Sequence, residues 1–174
     1  GGGFPSRYIH KTETLEAYTK KITKFLKADF KDLPEIIIEP GRSMVGNSGV
    51  LVAEVIQASK NSDSEVFTKK NILESVVPQD RWIYLDVGKF GGLAETMDES
   101  IKYPIFFEKD YGKKEKYSAV ILAGPTCDSM DILYEKYRYN FPESIQDGDR
   151  IYILTTGAYT YSYTSVCFNG FPPP

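Results

Sequence analysis

Ile36-Ile37-Ile38-Glu39-Pro40-Gly41-Arg42 decides how the rest of the chain is read. Three β-branched residues in a row predict a short strand buried on both faces, as parallel sheets use. Proline and glycine end that strand at once, and the turn sets a carboxylate and a guanidinium side by side at its carboxyl end. In α/β folds, ligands bind at that end. Arginine's planar fork suits a phosphate, and a carboxylate held there can keep a ring nitrogen protonated. Taken alone, Glu39 and Arg42 fit a surface ion pair equally well.

Upstream, residues 12–27 have helical spacing, with Leu15, Tyr18, Ile22, Phe25 and Leu26 on one face. Thr12 or Thr14 can cap this helix. Glu13 and Glu16 in its first turn and Lys24 and Lys27 in its last match the helix dipole. Ahead of it stands Gly1-Gly2-Gly3, whose backbone N–H groups can approach a phosphate closely. Glycine-rich loop, helix, buried strand and polar turn make one step of an α/β protein.

Downstream, Gly46 and Gly49 hand over to an apolar strand at Val50–Ala58, followed by a polar loop at 61–65. Further strands are expected at 82–87, 103–108, 117–123 and 150–155, the last entered through an Asp147-Gly148 turn. No second αβ step follows residue 60, which places a domain change near residue 48. Residues 1–48 then form the α/β part, and residues 49–174 a mostly antiparallel β-domain.

Composition bounds the partners. A net charge of −3 over 174 residues, with no free-standing basic block, argues against nucleic acid. The lysines of 20–27 read as a solvated helix face. No apolar run approaches membrane-spanning length. Two cysteines, Cys127 and Cys167, are too few for a secreted disulfide scaffold and read as reduced thiols in a cytoplasmic protein. His10 is the single histidine, and neither a metal site nor a Ser–His–Asp set can be assembled.

Other stretches carry chemistry. Cys127 follows Gly124-Pro125-Thr126 at a strand end, flanked by Asp128 and Asp131, which do not suit a buried core. A thiol beside carboxylates suits a proton donor next to a cation-binding acid, and the aspartates would raise its pKa. Glu95, Asp98 and Glu99 form an acidic cluster, of which Glu95 and Asp98 read as solvated. Tyr159, in Gly157-Ala158-Tyr159-Thr160, fits either a core residue or a hydroxyl partner for a phosphate. Phe168 and Phe171 put aromatics in a near-terminal loop that a partner's surface would bury.

Together these motifs resemble the fold-type-III decarboxylases that use pyridoxal 5′-phosphate, in particular the bacterial-like ornithine/lysine branch. The matching stretches are Gly1–Pro5, Glu39–Arg42, Gly124–Ser129, Gly157–Thr160 and Phe168–Phe171, in family order along nearly the whole chain. The resemblance implies the end of a (β/α)8 barrel followed by a β-domain. It implies that Gly1, Gly2, Gly3, Gly41, Arg42 and Tyr159 hold the cofactor, with Glu39 on the pyridine nitrogen. Cys127 would direct protonation at the α-carbon. Asp128 would bind the distal ammonium, as would Glu99, which falls where eukaryotic ornithine decarboxylases carry an aspartate. Cys127 and Asp128 would reach into the partner's site of a homodimer, with Phe168 at the interface.

The activity implied is decarboxylation of L-ornithine and/or L-lysine to putrescine or cadaverine. Diaminopimelate decarboxylases share the glycines and Glu39–Arg42 but tend to carry glutamate where Asp128 stands, so Asp128 favours a simple diamino acid. A diaminopimelate-type enzyme and a non-catalytic regulatory homologue are the alternatives. The family's Schiff-base lysine has no counterpart among the lysines here. The expectation is a carboxyl-terminal half, inactive alone, that needs the lysine-bearing half of the barrel.

Overall fold

The computed structural model describes residues 2–59, 80–109, 111–112 and 114–172; Gly1 and the polar loop expected at 61–65 lie outside them. Among the described residues six strands form a single sheet: β1 (Val50–Ala58), β2 (Arg81–Leu85), β3 (Ile105–Phe107), β4 (Tyr117–Ala123), β5 (Ile132–Pro142) and β6 (Arg150–Leu154), in the order β3-β6-β1-β2-β4-β5. Every pairing is antiparallel except β2 with β4, so the sheet is mixed. β1 turns the corner of this curled sheet. Its residues 50–54 pair with β6 and residues 55–58 with β2, and an irregularity falls between Val55 and Gln57. A strand that changes partners through a bulge is how a sheet folds back on its own core.

The core follows the period-2 alternation of the strands. Ile151 and Ile153 point inward between Arg150, Tyr152 and Leu154, and join Ala53, Val55, Ile83, Leu85, Leu122, Leu133 and Phe141. Arg81 occupies the same inner row as Ile83 and Leu85 and is buried. Its guanidinium donates to the Ser59, Phe141, Pro142 and Glu143 carbonyls and to Ser118 Oγ, tying the ends of β1, β4 and β5 together.

Strands expected at 50–58, 82–87, 103–108, 117–123 and 150–155 form within a residue or two of those bounds. β5, the longest strand, was not expected. Its apolar residues are interrupted by Glu135, Lys136, Arg138 and Asn140, and its register with β4 breaks twice. Helix α1 (Leu15–Asp29) is capped by Thr14, whose hydroxyl accepts from the Ala17 N–H at 3.2 Å.

One expectation about the first 48 residues needs correction. Ile36, Ile37 and Ile38 are 48%, 79% and 57% exposed and pair with no strand among the described residues. The apolar face of α1 is likewise open, with no residue of the helix buried. A β-branched run becomes a buried strand only where flanking strands accept its backbone groups, and no backbone hydrogen bond joins Ile36–Ile38 to another strand among the described residues. Residues 34–41 are therefore not part of the sheet.

Candidate cofactor site

A cavity of about 690 Å³ opens between the amino-terminal segment and the turn before β1. Gly2, Gly3, Glu39, Gly41, Arg42 and Tyr159 all line it, although they come from three separate parts of the chain. Short-range geometry explains the convergence. Gly2 packs so closely on the Glu39 carbonyl that a Cβ there would lie 2.7 Å from the oxygen. Helix α2 (Arg42–Val45) starts at Gly41, whose carbonyl accepts the Met44 and Val45 N–H groups. Ser6 Oγ donates to the Arg42 carbonyl at 2.5 Å. Gly157 N–H donates to Gly46 at 3.0 Å, which brings the following residues, Tyr159 among them, over α2.

Arg42 is the electrostatic centre of the cavity. Its Nη1 donates to Tyr8 Oη at 2.6 Å and to Glu95 Oε2 at 2.6 Å, and its Nη2 donates to Glu95 Oε1 at 2.5 Å. The guanidinium carbon stands 4.9 Å from the centroid of the Tyr159 ring. The hydrogen bonds that Glu95 accepts raise the Arg42 pKa further, so the group is permanently cationic. Burial pushes the Tyr8 hydroxyl up, against the opposing pull of Arg42, and keeps it neutral. Glu95 is thus no solvated helix residue: its side chain is 16% exposed and clamps Arg42. Fifty-three residues separate the pair, so no local sequence signal announces it. The one available hint was chemical, because a partly buried arginine needs a carboxylate. Tyr8 carried no signal at all.

The other expected residues lie elsewhere. Cys127 is exposed, in a left-handed conformation (φ 58°), and Asp128 accepts the Met130 N–H at 2.8 Å; neither lines this cavity. Phe168 stacks on Phe90 at 4.0 Å and lines a second cavity of about 340 Å³ beside Thr126 and Phe171. Asp131 departs from the sequence reading. It is 1% exposed, and its carboxylate accepts from the Lys89 N–H at 2.7 Å, the Thr126 N–H at 3.2 Å and the Thr126 hydroxyl at 2.7 Å. It anchors the loop that presents Cys127 and Asp128 and is not open to a cation.

Glu99 clamps the interruption in β5. Between Tyr134 and Tyr139 that strand bulges away from β4, and the Glu99 carboxylate takes the freed N–H groups of Glu135, Lys136 and Tyr137 at 2.8, 2.6 and 2.8 Å. Burial pushes its pKa up, but the three N–H donors outweigh burial and leave it below the ordinary 4.5. A depressed carboxylate stabilises the fold above its unfolded pKa, and that stabilisation is lost as pH falls through the folded one. Glu99→Gln is therefore expected to cost about 1–3 kcal/mol in urea unfolding at pH 7. The gap to the parent protein should narrow as the pH drops below 4.5. A constant gap across that range would remove the carboxylate from the explanation.

Comparison with known proteins bears directly on this arrangement. The family described as pyridoxal-dependent decarboxylase, C-terminal sheet domain, matches residues 12–157. The chain belongs to this family. Diaminopimelate decarboxylase of Staphylococcus aureus (strain COL) is 30% identical over 171 residues, covering 95% of this chain and 36% of that protein. Ornithine decarboxylase of Cricetulus griseus is 31% identical over 181 residues, covering 100% of this chain and 36% of that protein. Among solved structures, lysine/ornithine decarboxylase from Vibrio vulnificus complexed with cadaverine superposes with a TM-score of 0.72 at 30% identity. That match covers 99% of this chain and 41% of the other. The chain therefore spans a little over a third of the curated relatives it matches, 36% in each of these cases.

Members of this decarboxylase family are pyridoxal-dependent, and the cavity's donor set fits that cofactor. The phosphate would meet a permanent cation, a tyrosine hydroxyl and glycine backbone that a ligand can approach closely, while the Glu39 carboxylate could keep a ring nitrogen protonated. The volume is in the usual range for a small-molecule site. Among the described residues no cluster of His, Cys, Asp and Glu could hold a metal ion, and no helix is long and apolar enough to cross a membrane.

Proposed function

We propose that the complete protein is a pyridoxal-phosphate-dependent decarboxylase that converts L-ornithine and/or L-lysine to the diamine and CO2. The observation that carries this reading is the meeting of Gly2, Gly3, Glu39, Gly41, Arg42 and Tyr159 around one cavity in a chain of this family. The exposed faces of α1 and of Ile36–Ile38 support residues 1–48 as the last part of a barrel, with the cofactor-bonding lysine and the remaining strands outside these 174 residues.

The bound cofactor supplies an electron sink for the electrons of the bond broken when CO2 leaves. Apart from the bonding lysine, this chain's residues supply the following contacts. Arg42, Tyr159 and the N–H groups of the glycines bind its phosphate, and Glu39 holds a proton at its ring nitrogen. Asp128 orients the substrate through the distal ammonium. Glu99 shares that assignment with less to offer, since three backbone donors already occupy most of its acceptor capacity. Cys127 holds the proton that returns to the α-carbon.

Cys127 and Asp128 lie outside the cavity formed by their own chain, which supports a homodimer in which each subunit completes the other's site, with Phe168 at the interface. Both cysteines are free thiols, in keeping with a reducing, cytoplasmic setting.

Relatives at 30% identity include a diaminopimelate decarboxylase, so that substrate is the second reading. The test is CO2 and diamine release by the complete protein from ornithine, lysine and diaminopimelate in parallel. Turnover of ornithine or lysine is expected. Asp128→Ala should raise KM for them by roughly tenfold or more, as loss of a charge-assisted contact does. Turnover of diaminopimelate alone would select the second reading, and cofactor binding without any turnover would indicate a non-catalytic homologue.

A further inference from the structure

We propose that Glu95 is a positioning residue for Arg42: with Tyr8 it fixes the guanidinium so that only its Nε–Nη2 edge remains to receive a pair of anionic oxygens. The inference rests on the cofactor reading above and deepens it, because neither Glu95 nor Tyr8 belongs to the expected contact set.

A guanidinium has five N–H donors arranged along its edges. Here Glu95 occupies the end-on edge with one bond from each Nη, and the Tyr8 hydroxyl takes the outer N–H of Nη1. No hydrogen bond reaches Nε among the described residues. Nε–H and the inner N–H of Nη2 are parallel, which is the second geometry in which arginine grips a two-oxygen group. One bidentate edge is spent on fixing the plane, and the other is left for a ligand.

The clamp is itself held. Tyr8 meets Tyr103 edge-on, with centroids 5.5 Å apart and an interplanar angle of 86°, and Tyr103 is 1% exposed. Glu95 stands on a short turn, 94–99, anchored by the buried Leu93 and Thr96. The Tyr159 ring supports the guanidinium as well. A long, rotamer-rich arginine is thereby ordered before any ligand arrives, which removes that entropy from the cost of binding.

The opposite role is conceivable on charge alone, since a carboxylate beside Arg42 offsets its attraction for an anion. The two roles predict opposite signs, and a phosphate-free ligand isolates them. The apo form of the complete protein is titrated with pyridoxal phosphate and with pyridoxal, as the parent and as Glu95→Gln, each with and without Arg42→Ala. Glu95→Gln is expected to weaken pyridoxal phosphate binding roughly tenfold or more, as loss of an outer-shell partner does. It should leave pyridoxal binding unchanged and have no further effect once Arg42 is alanine. Equal losses for both aldehydes would mean a general structural role and overturn the proposal. Unchanged or tighter pyridoxal phosphate binding would overturn it in favour of competition. A parent protein that binds neither aldehyde removes the cofactor reading, and this inference with it.

Discussion

Gly157→Ala is expected to destabilise the complete protein by about 3 kcal/mol or more and to weaken cofactor binding at the same time. A Cβ on Gly157 would overlap the Val45 carbonyl oxygen and stand 2.9 Å from the carbonyl carbon and 2.7 Å from Ser48 Oγ. The obstruction is backbone, so no rotamer change relieves it. The backbone cannot yield cheaply, because Gly157 N–H donates to Gly46 and Thr156 N–H donates to Gly49 at this same crossing. Any separation of the two segments moves Tyr159 off the Arg42 guanidinium, which it supports at 4.9 Å. Urea unfolding should show the loss of stability, and titration with pyridoxal phosphate the loss of affinity. A variant as stable as the parent would show that the crossing is looser than described.

Asp131→Ala should be comparably severe, at about 3–5 kcal/mol. Each buried donor left without an acceptor costs about 1–3 kcal/mol, and this carboxylate serves the Lys89 N–H and both donors of Thr126. The carboxylate fills the space between two glycines, since a Cβ at Gly88 would lie 2.6 Å from Asp131 Cγ and one at Gly124 2.5 Å from it. The consequence reaches the chemistry through the loop. Asp131 is the far anchor of the segment carrying Cys127 and Asp128, with Gly124 N–H donating to its carbonyl at 2.8 Å. If the complete protein is the decarboxylase proposed above, CO2 release should therefore fall even at temperatures where the variant remains folded, and substrate KM should rise. Unfolding curves measured with the steady-state rates separate the two effects. Full stability in Asp131→Ala would refute the anchoring role.

Much of the fold was legible along the chain. Val50–Ala58, Tyr117–Ala123 and Arg150–Leu154 announce themselves because their apolar residues are β-branched or aromatic and bounded by glycine, charge or a turn. β5 did not, because charged and polar residues interrupt its apolar pattern and its bulge depends on a carboxylate from Glu99, far away in sequence. The Ile36–Ile38 run misled in the other direction: local propensity asks for a strand, but a strand exists only as one side of a pairing.

The site divides along the same line. That Gly2, Gly3, Glu39, Gly41, Arg42 and Tyr159 belong together was readable, since they sit in short motifs whose residue types carry related chemistry, and the structure places them around one cavity. Local sequence determined which groups are available: a fork for an anion, a carboxylate for a ring nitrogen, a thiol beside an acid. Only the tertiary structure decided what those charges are paired with. It turned Glu95 from a solvated acid into the clamp on Arg42, Asp131 from an acid unsuited to a core into a buried anchor, and Glu99 into the acceptor for a strand bulge. The physical reason is that a charge removed from water must find its partner in space, and the partners of these three lie up to 53 residues away along the chain.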